Sequence, residues 1–174
     1  VEINPPEVIS STPLGSSVHK TLGIAKFASS TQTAGAVDWL TRIYTERLMR
    51  EGPFRQIKPL DASPSNSGEA IVLGRAQQCE LVLMPSVVSL IESSGAMPTE
   101  LQVSVQLVEV STGRVLIFLR QRARSQPGAD IDLVWNIVEG QPALRSRELA
   151  EKLASQHAQF MASMAGPPLP LGGK

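Results

Sequence analysis

Asp130 and Asp132, flanking Ile131 and followed by Glu139, are the residues of this 174-residue chain best placed by type to do acid–base chemistry. Paired carboxylates can act as general acid and general base, or can ligate calcium, when their spacing suits the substrate or the ion. The EF-hand spacing is absent, and the acids lie in the polar stretch SQPGADIDLVWNIVEGQ, so they read as solvated loop acids. A hydrolase built on Asp130 and Asp132 is the alternative. Neither His19 nor His157 sits in HExxH or a similar ligand pattern, which argues against zinc. His157 lacks a recognisable nucleophile partner and reads as a boundary residue of a C-terminal helix. Cys79 is the single cysteine; it rules out an internal disulfide or a multi-cysteine zinc site and reads as a small buried hydrophobe. The terminal LGGK fails the GxxxxGK spacing of a phosphate loop. No catalytic residue, cofactor or metal ligand is assigned.

Residues suited to binding are clearer. Arg120, Arg122 and Arg124 alternate along LIFLRQRAR, and alternation in a strand puts all three on one face. Trp135 is either a plug for one end of the core or an anchor for a partner. A formal net charge of +0 removes the general field that would gather nucleic acid, so a nucleic-acid-binding domain is only a further alternative. With 42% hydrophobic and 18% charged residues, the expected class is a soluble globular domain. The longest apolar run, broken by Pro85 and Ser86, falls short of the roughly 20 residues of a spanning helix. Residue 1 is Val, which suggests trimming from a longer precursor.

These side chains need a scaffold. Residues 1–18 and 166–174 are rich in Pro, Gly and Ser and read as a flexible linker and a disordered tail around a domain at 19–165. Within it, 21–28 reads as a central strand, and 34–51 as a helix through Val37, Leu40, Ile43, Tyr44 and Leu48, stopped by Gly52 and Pro53. A strand follows at 54–60, then a helix capped by Ser67, then a strand at 80–91 bent at Pro85. Leu101, Val103, Val105 and Leu107 alternate with polar residues, as in a strand covered on one face. Another strand follows at 115–123. Pro142 opens a last helix whose buried stripe is Leu149, Leu153, Phe160 and Met164. Right-handed crossovers then give a β-α-β-α-β-β-β-α domain with mixed sheet order 2-1-3-4-5, similar to anticodon-binding domains, and with its first two helices on opposite faces.

The last hairpin fixes where the arginines point. A two-residue loop at Thr112 and Gly113 would set Val105 against Arg120 and Val103 against Arg122, turning guanidinium groups into the apolar face. A three-residue loop, Ser111, Thr112 and Gly113, with the glycine left-handed beside a bulge, shifts every pair by one. Leu107 then meets Ile117, Val105 meets Leu119 and Val103 meets Gln121. On the other face Ser104 meets Arg120, Gln102 meets Arg122 and Glu100 meets Arg124. As the expected edge strand, it carries arginines that either block stray pairing or form a basic strip for an acidic partner or lipid phosphates.

The segments CELVLMPSV and LQVSVQLVEVSTGRVLIF resemble a pattern shared by the TolB N-terminal domain, the CsgG-type curli-secretion lipoproteins and the LpoB-type activators of penicillin-binding proteins. LGIAKFASS and GPFRQIKPLD resemble the opening strands of the same families. Pro85 stands where those families place glycine. The membrane-inserting segments of a curli-type pore are missing. The resemblance implies a non-enzymatic periplasmic protein, tethered to the outer membrane through a lipidated cysteine upstream of Val1. Its domain would bind envelope proteins or itself in secretion, envelope assembly or cell-wall synthesis. Arg120, Arg122, Arg124 and Trp135 are the candidate contacts.

Overall fold

The computed structural model describes residues 1–92, 97–128, 131–133, 136–138 and 145–166. Its centre is an open seven-stranded sheet built from β1 (Glu2–Ile3), β2 (Glu7–Ser11), β3 (Thr21–Ile24), β4 (Gln56–Pro59), β5 (Leu81–Ile91), β6 (Thr99–Glu109) and β7 (Val115–Ser125). A separate pair, β8 (Ile131–Leu133) with β9 (Asn136–Val138), lies outside it. Three helices accompany the sheet: α1 (Val37–Glu51), α2 (Ser67–Ala76) and α3 (Ser146–Ser163).

The order β4-β3-β5-β6-β7 is the expected 2-1-3-4-5, with β3 parallel to both neighbours and β5, β6 and β7 antiparallel. Helices α1 and α3 pack together and close one face through Leu40, Tyr44, Leu48, Leu149 and Leu153. Helix α2 covers the other face only near β3 and β5, where Ala70 joins Ala25, Leu60, Cys79, Val82 and Val110 in a smaller core. The first two helices thus lie on opposite faces, as right-handed crossovers require.

The expected linker is different. Residues 2–3 and 7–11 form β1 and β2, both antiparallel to β7, with Glu2 opposite Arg124 and Glu7 opposite Arg120. Their amides complete a ladder that side-chain periodicity does not announce, since every β2 residue is exposed. The fifth expected strand is therefore not an edge.

Other differences are local. The α2 cap is Asn66, whose side chain accepts the Glu69 amide at 2.9 Å, while the Glu69 carboxylate accepts the Ser65 amide at 2.7 Å; Ser67 is the first helical residue. The β5–β6 register runs unbroken through Pro85. Its missing N–H points toward the Ala28 side, where its carbonyl accepts from Ala28 at 2.9 Å, so the ladder to β6 runs on and the irregularity falls between Val87 and Ser89. Helix α3 begins at Ser146, and Pro142 lies outside the described residues. Its stripe keeps Leu149 and Leu153 but adds Ala150, Ala154, His157, Ala158 and Met161, with Phe160 and Met164 only partly buried.

Candidate functional site: the polar face of the sheet

The β6–β7 register is the one expected: Leu107 faces Ile117, Val105 faces Leu119, Ser104 faces Arg120, Gln102 faces Arg122 and Glu100 faces Arg124. The turn that achieves it is not the expected one. Val110 is buried in the α2 core, and its N–H is given to the Glu80 carbonyl at 2.9 Å, so it cannot close the loop. Glu109 closes it instead, donating to the Arg114 carbonyl at 2.8 Å and accepting from the Gly113 amide at 2.8 Å. Gly113 takes the left-handed conformation at φ +73. Val108 then faces Val115, and the slip of one residue is made at Leu116, just inside the strand. The Glu109 carboxylate accepts from Lys20 Nζ at 2.7 Å and from the Thr112 hydroxyl at 2.6 Å; these two bonds, the lysine's first, hold the carboxyl below its usual range.

Four cross-strand rows make up the face that no described helix covers. Ser10, Phe118, Gln106 and Met84 form the row next to α2. Glu7, Arg120, Ser104 and Ser86 follow, then Arg122, Gln102 and Ser89, then Glu2, Arg124, Glu100 and Ile91. Ser86 and Ser104 share a hydrogen bond of 2.7 Å across the β5–β6 pair. The arginines expected as a bare strip therefore stand between two acidic columns, Glu2 and Glu7 on one side and Glu100 on the other. Three bases meet three acids, and the face has no net charge.

Only one of these contacts is a closed ion pair among the described residues, Arg122 with Glu100. Arg120 Nε and Arg124 Nε are enclosed without a hydrogen-bond partner, although Glu7 and Glu2 sit directly across the ladder. A small cavity of about 130 Å³ is lined by Glu2, Asn4, Arg122 and Arg124.

Of the other candidates, Trp135 and Asp130 lie outside the described residues, and Asp132 is placed only as a backbone position in β8. His157 is corrected from boundary to core: it is 1% exposed, and its Nδ1 lies 3.1 Å from the Tyr44 hydroxyl. Burial lowers its pKa to about 4 and raises that of Tyr44. Cys79 is buried at 4% exposure, as a small hydrophobe should be. Among the described residues no three His, Cys, Asp or Glu side chains gather as for a metal, and no helix is long and apolar enough to cross a membrane. A larger groove of about 630 Å³ between α1, α3 and Ile3 is lined by Arg47, Glu148, Glu151 and Lys152, of which Arg47 pairs with Glu151 and, beside the groove, with Glu51.

Glu100 opposite Arg124 was expected from the register, but the column of Glu2 and Glu7 was missed because β1 and β2 were. Their one legible signal was the spacing of Glu2 and Glu7 around Pro5 and Pro6 in an otherwise featureless segment.

No family model matches the chain, and no curated protein matches it in sequence. Among solved structures, a variant PelC dodecamer from Paraburkholderia phytofirmans is similar at TM-score 0.64 and 17% identity, over 92% of this chain and 98% of that one. Protein XCC0632 from Xanthomonas campestris is similar at 0.57 and 11%, over 92% and 95%. Lipoprotein GNA1162 from Neisseria meningitidis is similar at 0.50 and 14%, over 83% and 99%. At these identities the likeness is one of fold.

Proposed function

We propose that this chain is a non-catalytic interaction module of the bacterial cell envelope, lipid-anchored upstream of Val1 and working in the periplasm at the outer membrane. The observation that carries this reading is the polar face of β5, β6 and β7, where Arg120, Arg122 and Arg124 stand in register between Glu2 and Glu7 on one side and Glu100, Gln102 and Ser104 on the other. Such a face suits a protein surface, which can answer alternating charges and amides. A polyanion would meet Glu2, Glu7 and Glu100. The fold shared with a lipoprotein supports the location. The finer kinship with TolB, CsgG and LpoB-type proteins rests on the CELVLMPSV and EVSTGRVL segments, and Trp135 stays in the proposal as a second anchor.

The test is cross-linking in the envelope of the parent bacterium, with the triple change Arg120→Ser, Arg122→Ser and Arg124→Ser. The reading expects a discrete cross-linked partner that the triple variant loses while keeping its circular dichroism. An undiminished adduct would overturn it.

A further inference from the structure

We propose that residues 2–11 occupy β7 as a displaceable strand, and that the partner of the arginine face takes their place there with an extended segment in which acidic residues alternate with apolar ones. The inference rests on the reading of Arg120, Arg122 and Arg124 as contact residues and names the chemistry that would meet them.

The two sides of this ladder are unequal. From Ile117 to Ser125, β7 pairs with β6 without a slip, its arginines on the uncovered face and Ile117, Leu119 and Ala123 in the main core on the other. The segment lying against it is irregular. Glu2 and Ile3 stand opposite Arg124 and Ala123, but Glu7 and Val8 stand opposite Arg120 and Leu119, so four steps of the segment from Ile3 to Glu7 match only three of β7. That slip coincides with Pro5 and Pro6, which have no N–H to give. A second slip follows between Val8 and Ser10, and no residue of the segment stands directly opposite Arg122.

Side chains add little to the hold. Every β2 residue is exposed, Val8 at 44% although it shares the face of buried Leu119, and Ile3 is the side chain of the segment that packs against the core. The firm contacts are at Asn4, whose amide donates to the Arg122 carbonyl at 3.1 Å and whose carbonyl accepts from the buried Gln121 side chain at 2.8 Å. Past the segment, the Thr12 amide donates to the Leu116 carbonyl at 2.8 Å and Leu14 is buried, so displacement would end there. Among the described residues the closed ion pair of the arginine column, Arg122 with Glu100, is made within the sheet and not with the segment.

An unbroken strand would use β7 more fully. Antiparallel to β7 and in register along it, such a strand sets acids at alternate positions opposite Arg120, Arg122 and Arg124, where directly opposed charges of opposite sign stabilise the pair. The residues between turn toward the face of Leu119 and Ala123, which favours apolar side chains. Main-chain bonds to the β7 edge supply affinity, and the alternation supplies selectivity that a uniform polyanion lacks. Glu2 and Glu7 leave with the displaced segment, so Glu100 alone then offsets the three arginines and the face becomes basic as the acidic strand arrives.

The test is binding to the full chain of a labelled peptide in which glutamates alternate with valines over about nine residues, an ordinary strand length. Fluorescence anisotropy is read up to about 1 mM, the weak end of specific association. The native chain should bind it, and a peptide of the same composition with its glutamates gathered at one end should bind at least about tenfold more weakly. Hydrogen exchange should show the Asn4 amide losing its protection in the saturated complex. Ile3→Cys with Ala123→Cys, directly opposed in the ladder, staples the segment in place, since such pairs bring their Cα atoms within about 5.5 Å. The oxidised staple should bind the alternating peptide at least about tenfold more weakly than the same variant reduced. No binding by the native chain, equal binding of the two peptides, an Asn4 amide that stays protected, or equal binding by the oxidised and reduced staple overturns the proposal; the first three need no substitution. Cross-linking in the envelope separates this proposal from the reading beneath it. An adduct kept by the oxidised staple but lost by the triple arginine variant removes strand exchange and leaves the arginine face standing, whereas an adduct that the triple variant keeps removes the face itself.

Discussion

Acid should loosen the packing of α1 on α3 through His157. The imidazole is buried against Tyr44 at 1% exposure, its Nε2 has no partner, and burial lowers its pKa from 6.5 to about 4. A base whose folded pKa lies below its unfolded value binds protons more readily when unfolded. Stability is therefore undisturbed above the unfolded value and is lost as pH falls from 6.5 toward 4. The full displacement is worth roughly 3 kcal/mol, and about 2 kcal/mol of it is expressed by pH 5. Carboxylates also titrate in that window, so the assay is a difference. Urea unfolding at pH 7 and at pH 5 is compared between the native chain and His157→Gln, which keeps a polar partner near Tyr44 but cannot take the proton. The native chain should lose about 2 kcal/mol more than the variant. Equal losses, or a His157 ring resonance that titrates above pH 6 in the folded protein, would refute the reasoning.

Other changes act through packing and capping. Gly74→Ala would place a Cβ 2.5 Å from Val110 Cγ2 and 3.0 Å from Val82 Cγ2, and overpacking of about 1–3 kcal/mol outweighs the gain of about 1 kcal/mol in helix propensity; Tm should fall, and a rise would contradict the α2 packing. Asn66→Ala removes the α2 cap and should cost about 1 kcal/mol in chemical denaturation, whereas Ser67→Ala should cost only a few tenths. Cys79 should react with a thiol reagent only as fast as the fold opens, and labelling at the rate of a free thiol would place it outside the core.

Much of the scaffold was legible because the local patterns agree with the tertiary answer. Alternation in residues 101–107, turn residues before Val115 and the cost of burying guanidinium groups together set the β6–β7 register. The turn itself was not legible, since nothing in the sequence says that Val110 belongs to the α2 core and gives its amide to Glu80. Helix α3 shows the same limit. Counting only large apolar residues picked Phe160 and Met164, while Ala150, Ala154 and Ala158 are the small residues buried along it and His157 fills a core position. The site was half visible: the arginines came from alternation in one strand, whereas Glu2 and Glu7 reach them through backbone pairing of a segment with no periodicity of its own.

Cross-strand Hα–Hα contacts measured by NMR across the β6–β7 pair bear most directly on the central claim, that the arginines share an uncovered face with Glu2 and Glu7. In the register described, Ser104 with Arg120 and Gln102 with Arg122 are the close pairs without mutual hydrogen bonds and should give strong contacts, with Asn4 N–H protected by the Arg122 carbonyl. Strong contacts between Ser104 and Gln121 instead would move every guanidinium into the apolar face and contradict the account.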